Sequence, residues 1–367
     1  MRRIFLIFLL SVLCFGSTAQ EWRYAGHAPR TRWSEGIKYP DRVNWEYPRP
    51  QMLRSRWMHL NGTWKYVVSP CEAETMPPTE RRIFVPFPLE SPLSGAGRTI
   101  LERDALWYSR NFEVPEEWKG ETILLHFGAV DRECDVFVNG IKAGSHSGSG
   151  SFTLDITEYI LKKGENALVV KVRDGIKDAP RTVTGIWQTV WLEPVSAKAH
   201  IDSCRVRADL DAGTLSITPL CTGIRKGDRL QIYVFDDDAI IADVSVLPGE
   251  TAAIRIPNVR IWAPGAPALY DFSVNLFRGN KLLDIVRCYT LFRSPECGNS
   301  AAAGRVVDAT WWSDGLCTPP SDEALLSELK DVRDKGPGTV YRNAYPTART
   351  RYWCDVLGII LKEDFTL

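Results

Sequence analysis

The sequence predicts a mainly β chain, two antiparallel sandwiches in succession followed by a shorter α/β segment. Three observations carry this reading. Helix periodicity is nearly absent before residue 320. Short apolar runs recur, cut by Gly, Asn, Asp and Pro, as strands joined by tight turns require. Near residue 295 the pattern changes to strand–helix–strand, which favours a parallel sheet.

The first strands to stand out are Ile123-Leu124-Leu125-His126-Phe127, Asp135-Val136-Phe137-Val138, Ala167–Val172 and Thr189–Leu192. The second of these closes on Asn139-Gly140, the strongest two-residue hairpin signal. Many short strands at this spacing mean a sandwich or jelly roll. Pro194–Ala199 is the expected boundary. Beyond it come Ser203–Ala208, Thr214–Thr218, Leu230–Phe235, Ala253–Ile256, Tyr270–Phe277 and Leu282–Thr290, hinged at Gly213, Gly227, Gly249 and Gly279. That count of strands reads as an immunoglobulin-like sandwich. Gly298–Gly304 is a small-residue linker. Ser321 then caps a helix with Leu325, Leu326 and Leu329 on one face. Gly338–Tyr341 reads as a strand, Thr350–Leu357 as a helix stopped by Gly358, and Ile359–Leu361 as another strand.

Composition excludes several functions. The 367 residues include 45 Lys+Arg and 45 Asp+Glu, so no basic excess invites nucleic acid. Five His, none paired at i, i+4, and scattered Cys offer no metal site, and no cofactor is implied. Asp236-Asp237-Asp238 reads as an acidic hairpin tip. Cys134 reads as a small buried apolar residue, and His146 as a turn residue in the polar run Ser145–Ser151. Arg2-Arg3, the apolar run Ile4–Phe15 and the small residues Gly16–Ala19 form a secretory signal peptide, with cleavage expected between Ala19 and Gln20. The run is too short to span a membrane. Leu13 is not the small residue that a lipid anchor on Cys14 needs. A secreted or periplasmic protein without membrane association is expected.

Several motifs follow one another in a fixed order. They are Leu60-Asn61-Gly62-Thr63-Trp64, Val85-Pro86-Phe87-Pro88-Leu89-Glu90, Trp107-Tyr108-Ser109-Arg110-Asn111-Phe112, Val136-Phe137-Val138-Asn139-Gly140, Phe152–Thr157, Gly164-Glu165-Asn166-Ala167-Leu168 and Gly185-Ile186-Trp187-Gln188-Thr189-Val190-Trp191-Leu192. Trp262-Ala263-Pro264 with Leu269-Tyr270 comes next, then Trp312-Ser313-Asp314-Gly315 and Tyr352–Gly358. In this order they resemble glycoside hydrolase family 2, of the β-galactosidase and β-glucuronidase type. After the signal peptide (1–19), the resemblance implies a galactose-binding-like jelly roll (20–197), an immunoglobulin-like sandwich (198–293) and a truncated start of a (β/α)8 barrel (294–367). It also implies carbohydrate as the partner and retaining hydrolysis of terminal β-galactosides or related glycosides as the family activity.

Retaining hydrolysis needs two carboxyl groups about 5–5.5 Å apart. In the family these are Glu residues on later barrel strands, the acid/base in an Asn-Glu pair, and no such pair follows residue 300. No catalytic residue is therefore assigned, and a chain inactive alone is expected. The alternatives are a glycan-binding or interaction module and a truncated gene product without function. Residues around Cys297–Ala301 offer no first barrel strand. In Tyr341-Arg342-Asn343-Ala344-Tyr345-Pro346, Arg342 matches a family arginine, but the family's pocket His is gone. Arg342 is read as a remnant pocket residue or a solvated strand-end charge. Asp364 falls near a family metal-ligating position, in a tail too short to hold a metal. The loop 174–181 is shorter than the family's. Trp64, Trp107, Trp187 and Trp191 are read as core fillers rather than sugar platforms. With open strand edges, the residues beyond about 300 are expected to be lost first to proteolysis.

Overall fold

A computed structural model describes residues 22–26, 28–35, 37, 43–161, 163–173, 183–294 and 305–363. The signal peptide, the loop 174–181, the linker 298–304 and Asp364 lie outside the described residues.

The first sandwich packs two antiparallel sheets. One has six strands, in the order Arg82–Val85, Gly62–Pro70, Asp104–Phe112, Asn166–Arg173, Glu133–Val138 and Ile141–Ser147. The other has four, Met58–His59, Val190–Val195, Thr122–Phe127 and Phe152–Asp155. Alternation along Gly62–Pro70 and Asn166–Arg173 sends Trp64, Tyr66, Leu168, Val170 and Val172 into the shared core. Burying each large apolar side chain stabilises by about 1.5–3 kcal/mol. The recurring motifs prove to be joints of this fold. Asn61 is fully buried: its Nδ2 donates to the Asn44 carbonyl (2.9 Å) and to Thr189 Oγ1 (3.2 Å), and its Oδ1 accepts from the Val190 amide. Asn139 takes the left-handed conformation that its hairpin turn demands (φ 52°), and Gly140 follows at 81°. Asn139 Nδ2 also donates to Asn166 Oδ1 (2.9 Å), so two motifs far apart in sequence interlock. Trp64, Trp107, Trp187 and Trp191 are all buried; Trp64 lies in the sandwich core, while Trp187 and Trp191 also face a cleft. His146 departs from its reading. It stands on the strand Ile141–Ser147, with its ring stacked 4.2 Å from that of Phe152, because the apolar face of Phe152 draws it out of the turn.

The second sandwich packs the sheet His200–Asp209, Thr214–Thr222, Ala252–Arg255 against the sheet Ala239–Val246, Asp228–Asp236, Tyr270–Arg278, Lys281–Thr290. Ala239–Val246 went unread in the sequence. It is an edge strand whose alternation is half exposed, so its apolar signal is weak. Asp236 and Asp237 form the hairpin tip and both pair with Arg260.

The last unit is a three-stranded parallel sheet, Arg305–Asp308, Thr339–Asn343 and Ile360–Glu363, with helices Asp322–Arg333 and Ala348–Leu357. Its first described strand is Arg305–Asp308, and the stretch Cys297–Ala301, which offers no strand in the sequence, lies outside the described residues. Ser321 Oγ caps the first helix by accepting from the Ala324 amide, and Gly358 ends the second with φ 67°. Leu325, Leu329, Val332 and Tyr341 form a core of their own. The unit is also pinned to both sandwiches. Asp314 Oδ2 accepts from the Thr31 amide (2.8 Å), Ser91 Oγ donates to the Asp314 carbonyl (2.6 Å), and Thr318 Oγ1 donates to the Trp187 carbonyl (2.7 Å). Trp262 Nε1 donates to the Asp355 carbonyl (2.7 Å), while the Asp355 carboxylate takes Tyr289 Oη (3.0 Å) and Arg293 (2.9 Å).

Candidate functional site

The C-terminal ends of the first two parallel strands, Arg305–Asp308 and Thr339–Asn343, open into a cleft of about 380 Å³. Parallel strands place their C-terminal ends on one face, where ligands of α/β folds gather. Arg342 lies at this mouth. It is exposed and makes a two-pronged ion pair with Asp308, Nε to Oδ1 at 2.5 Å and Nη2 to Oδ2 at 2.9 Å. Arg342 is a strand-end charge that also lines the cleft. Trp311, Trp312 and Tyr345 give the cleft its aromatic wall, and Asn343 an amide. Tyr345 is wedged edge-on to Trp187 (ring centroids 5.5 Å apart) and tilted against Trp311 (6.2 Å). Ala344 stands where the resemblance places a histidine, so this wall has no imidazole.

Two carboxyl groups line the cleft, Asp308 and Glu328. Asp308 is taken up by Arg342. Glu328 Oε1 accepts from the Thr310 amide (2.7 Å), and burial raises its pKa, with Asp331 adding to the effect. Glu328 ties its helix to the loop after the first parallel strand. Both carboxyl groups are thus engaged by neighbouring groups of the same unit, one by a guanidinium and one by a backbone amide. Among the described residues, no group of three or more His, Cys, Asp or Glu is disposed to hold a metal ion.

A second cleft of about 620 Å³ adjoins the first across Ala344, Tyr345 and Thr347. It lies between the first sandwich and the helix Ala348–Leu357, with Trp187, Trp191, His126, Arg49 and Arg351 among its walls. Behind it sits a buried ionic cluster centred on Glu193, which is wholly shielded from water. Its Oε1 accepts from Tyr47 Oη (2.6 Å) and Trp191 Nε1 (2.7 Å), and its Oε2 faces Arg49 (3.2 Å), Arg54 Nε (3.2 Å) and His126 Nε2 (3.4 Å). Burial alone would push the Glu193 pKa up, but hydrogen bonds from His126 and Tyr47 and the charge of Arg49 hold it down at about 2. Burial lowers the His126 pKa, so its ring is neutral at pH 7 and the two arginines carry the compensation there. His126 is held by stacking on Trp191, centroids 4.7 Å apart, and by Thr153 Oγ1 at 2.7 Å from Nδ1. Arg54 continues the cluster into the second sandwich, pairing with Asp284 and donating to the Ile201 carbonyl (2.6 Å). It thereby fixes the angle between the sandwiches.

Sequence reasoning found Arg342 and missed Asp308, Tyr345 and the Glu193 cluster. A signal for the last was present: Glu193 is the only charged residue in the strand Val190–Val195, two places after Trp191 and so on the same face.

Comparison with known proteins agrees with this architecture. The family model "Glycosyl hydrolases family 2, sugar binding domain" matches residues 86–188, and "Glycosyl hydrolases family 2" matches residues 199–293. A β-galactosidase of Thermoanaerobacter pseudethanolicus is 31% identical over 212 residues, 52% of this chain and 28% of that protein. A putative β-glucuronidase of Formosa agariphila is 27% identical over 71% of this chain and 35% of that protein. This chain therefore spans about a third of the length of these curated relatives. Among solved structures, a β-glucuronidase from Ruminococcus gnavus superposes with a TM-score of 0.69 at 17% identity, covering 88% of this chain and 60% of that one. That likeness speaks for the fold. On the two family matches, which together take in more than half of the chain, it belongs to glycosyl hydrolase family 2.

Proposed function

We propose that this chain recognises a β-linked glycan at the strand-end cleft and, as residues 1–367, does not hydrolyse it. The observation that carries the first half is the cleft itself, in which Trp311, Trp312 and Tyr345 surround the charged and amide groups of Arg342 and Asn343. Aromatic faces pack on sugar C–H groups, while fixed polar groups select hydroxyls. The second half rests on chemistry. Retaining cleavage needs a nucleophile and an acid about 5–5.5 Å apart. Here Asp308 is clamped by Arg342, Glu328 is engaged by the Thr310 amide, and residues 301–367 contain no Asn-Glu pair. On this reading the three parallel strands are the opening of a (β/α)8 barrel, which takes about 250 residues to close. The first sandwich is the family's jelly roll. Residues 1–19 support export to the periplasm or the medium.

The test is titration calorimetry of the purified chain with methyl β-galactoside and methyl β-glucuronide, beside an assay with the 4-nitrophenyl β-glycosides. Binding without release of 4-nitrophenol is expected. Arg342→Ala should weaken binding about 10- to 100-fold, the worth of one charge-assisted hydrogen bond of roughly 1.5–3 kcal/mol. Turnover that persists through purification would overturn the non-catalytic half. Absence of binding to either glycoside would overturn the recognition half.

A further inference from the structure

We propose that Cys204 and Cys288 are an oxidisable pair that closes into a disulfide joining the two sheets of the second sandwich. The strand His200–Asp209 is the edge of one sheet and Lys281–Thr290 the edge of the other. These edges meet. The Ile201 amide donates to Asp284 Oδ2 at 2.7 Å, and Arg54 bridges Asp284 and the Ile201 carbonyl. Three residues beyond Ile201 stands Cys204; four beyond Asp284 stands Cys288. Both face the same core, where Cys288 is buried and Cys204, half-buried, packs against it. The two thiols are near enough for hydrogen bonding to Cys204, together with burial, to push the Cys288 pKa far up. Both are free thiols here.

A third thiol, Cys221, lies close by but is the poorer partner. Cys204 pairs with Pro219 across the ladder, while Cys221 pairs with Ile201, so the two cysteines sit on a diagonal of neighbouring strands. Diagonal Cβ atoms are roughly 7 Å apart, whereas a disulfide needs Cβ atoms at about 3.5–4.5 Å. Sheets packed face to face stand about 10 Å apart, but at this corner the two edges meet, as the Ile201–Asp284 hydrogen bond shows, and so bring Cys204 and Cys288 together.

The oxidant is a small-molecule disulfide, for which glutathione disulfide is the probe. Cys204, the more accessible thiol, attacks one glutathione sulfur as the thiolate. An S–S bond forms to Cys204 and the S–S bond of glutathione disulfide breaks, releasing one glutathione thiolate. The Cys288 thiolate then attacks Cys204 Sγ and expels the second glutathione. Two protein thiols are oxidised, one glutathione disulfide is reduced to two glutathiones, and the two thiol protons end on the two leaving thiolates. Burial of Cys288 disfavours its thiolate, which makes the second step the slow one and speeds it as pH rises.

The experiment treats the full folded chain with glutathione disulfide at pH 8, unfolds it in N-ethylmaleimide and maps the digest without reduction. One cross-linked peptide pair holding Cys204 and Cys288 is expected, lighter by two hydrogens, with a loss of two titratable thiols per chain that dithiothreitol restores. Cys288→Ala should instead trap Cys204 as a stable adduct with one glutathione. The urea midpoint of wild type should rise on oxidation, and that of Cys288→Ala should not. A Cys204–Cys221 link overturns the proposal, as does full alkylation of both Cys204 and Cys288 after oxidation. If Cys288→Ala fails to fold, the wild-type peptide map decides alone.

Discussion

Replacing Glu193 by Gln changes one buried charge and almost no volume, so it isolates what the ionic cluster contributes. The carboxylate is shielded from water and meets Tyr47, Trp191, Arg49, Arg54 and His126 within 3.4 Å. Neutralising it leaves Arg54, itself buried, with Asp284 alone, and Arg49 with no anion. Breaking a buried pair by removing one partner costs about 3–5 kcal/mol. The titration leads to a similar figure. A carboxyl held at about 2 in the fold, against 4.5 when free, contributes about 3 kcal/mol at pH 7, at 1.36 kcal/mol per unit. The sign follows from the depressed pKa. Above pH 4.5 both folded and unfolded chains are ionised here and the contribution is complete. Between 4.5 and about 2 only the unfolded chain takes up the proton, so the contribution drains away as pH falls. Urea unfolding followed by tryptophan fluorescence should therefore show Glu193→Gln less stable by about 3 kcal/mol at pH 7. That is roughly 6–12 °C in Tm for a unit of this size. The gap to wild type should shrink steadily from pH 5 to pH 2. A variant within about 0.5 kcal/mol of wild type at pH 7, or a gap that does not change with pH, would refute the role given to this cluster.

Three further outcomes follow from the same contacts. Gly185 has φ 89°, and a Cβ there would sit 1.9 Å from the hydroxyl of the fully buried Tyr108. Gly185→Ala should cost about 3 kcal/mol from backbone strain and overpacking together, measured by urea unfolding, and adding Tyr108→Phe should recover part of it. Arg349 pairs with buried Asp322 and with Glu46, holding the third unit to the segment ahead of the first sandwich. Arg349→Ala should speed tryptic cleavage within residues 305–363 severalfold while the sandwiches persist, and unchanged cleavage would show that the remaining contacts suffice. Leu329→Ala, at a fully buried site in the third unit's core, should destabilise that unit by about 2–5 kcal/mol, read by hydrogen exchange in the two helices.

Those contacts bear on the expectation that residues beyond about 300 would be shed first. It rests on open strand edges, and edges are present: Arg305–Asp308 and Ile360–Glu363 each pair on one side only among the described residues, and Val306 is more than half exposed. The sequence did not show the counterweight. Asp314, Thr318, Arg349 and Asp355 each find their partners in the sandwiches or the segment ahead of them. Resistance to protease depends on which effect is larger, and the Arg349→Ala comparison weighs them.

What the amino-acid sequence determined by itself is short in range. Alternating apolar positions set which face of Gly62–Pro70 turns inward. Asn139-Gly140 set a turn needing two left-handed residues, and Ser321 and Gly358 set the ends of two helices. Each depends on residues within a few places of one another, so spacing alone reveals it. What only the tertiary structure decided is long in range. Asp308 and Arg342 are 34 positions apart and meet because parallel strands bring equivalent ends together. Glu193 draws partners from residues 47, 49, 54 and 126, and Cys204 meets Cys288 because two sheet edges touch. A buried charge or thiol is defined by what surrounds it in space, and its neighbours in sequence lie on the wrong side of the strand to say what that will be.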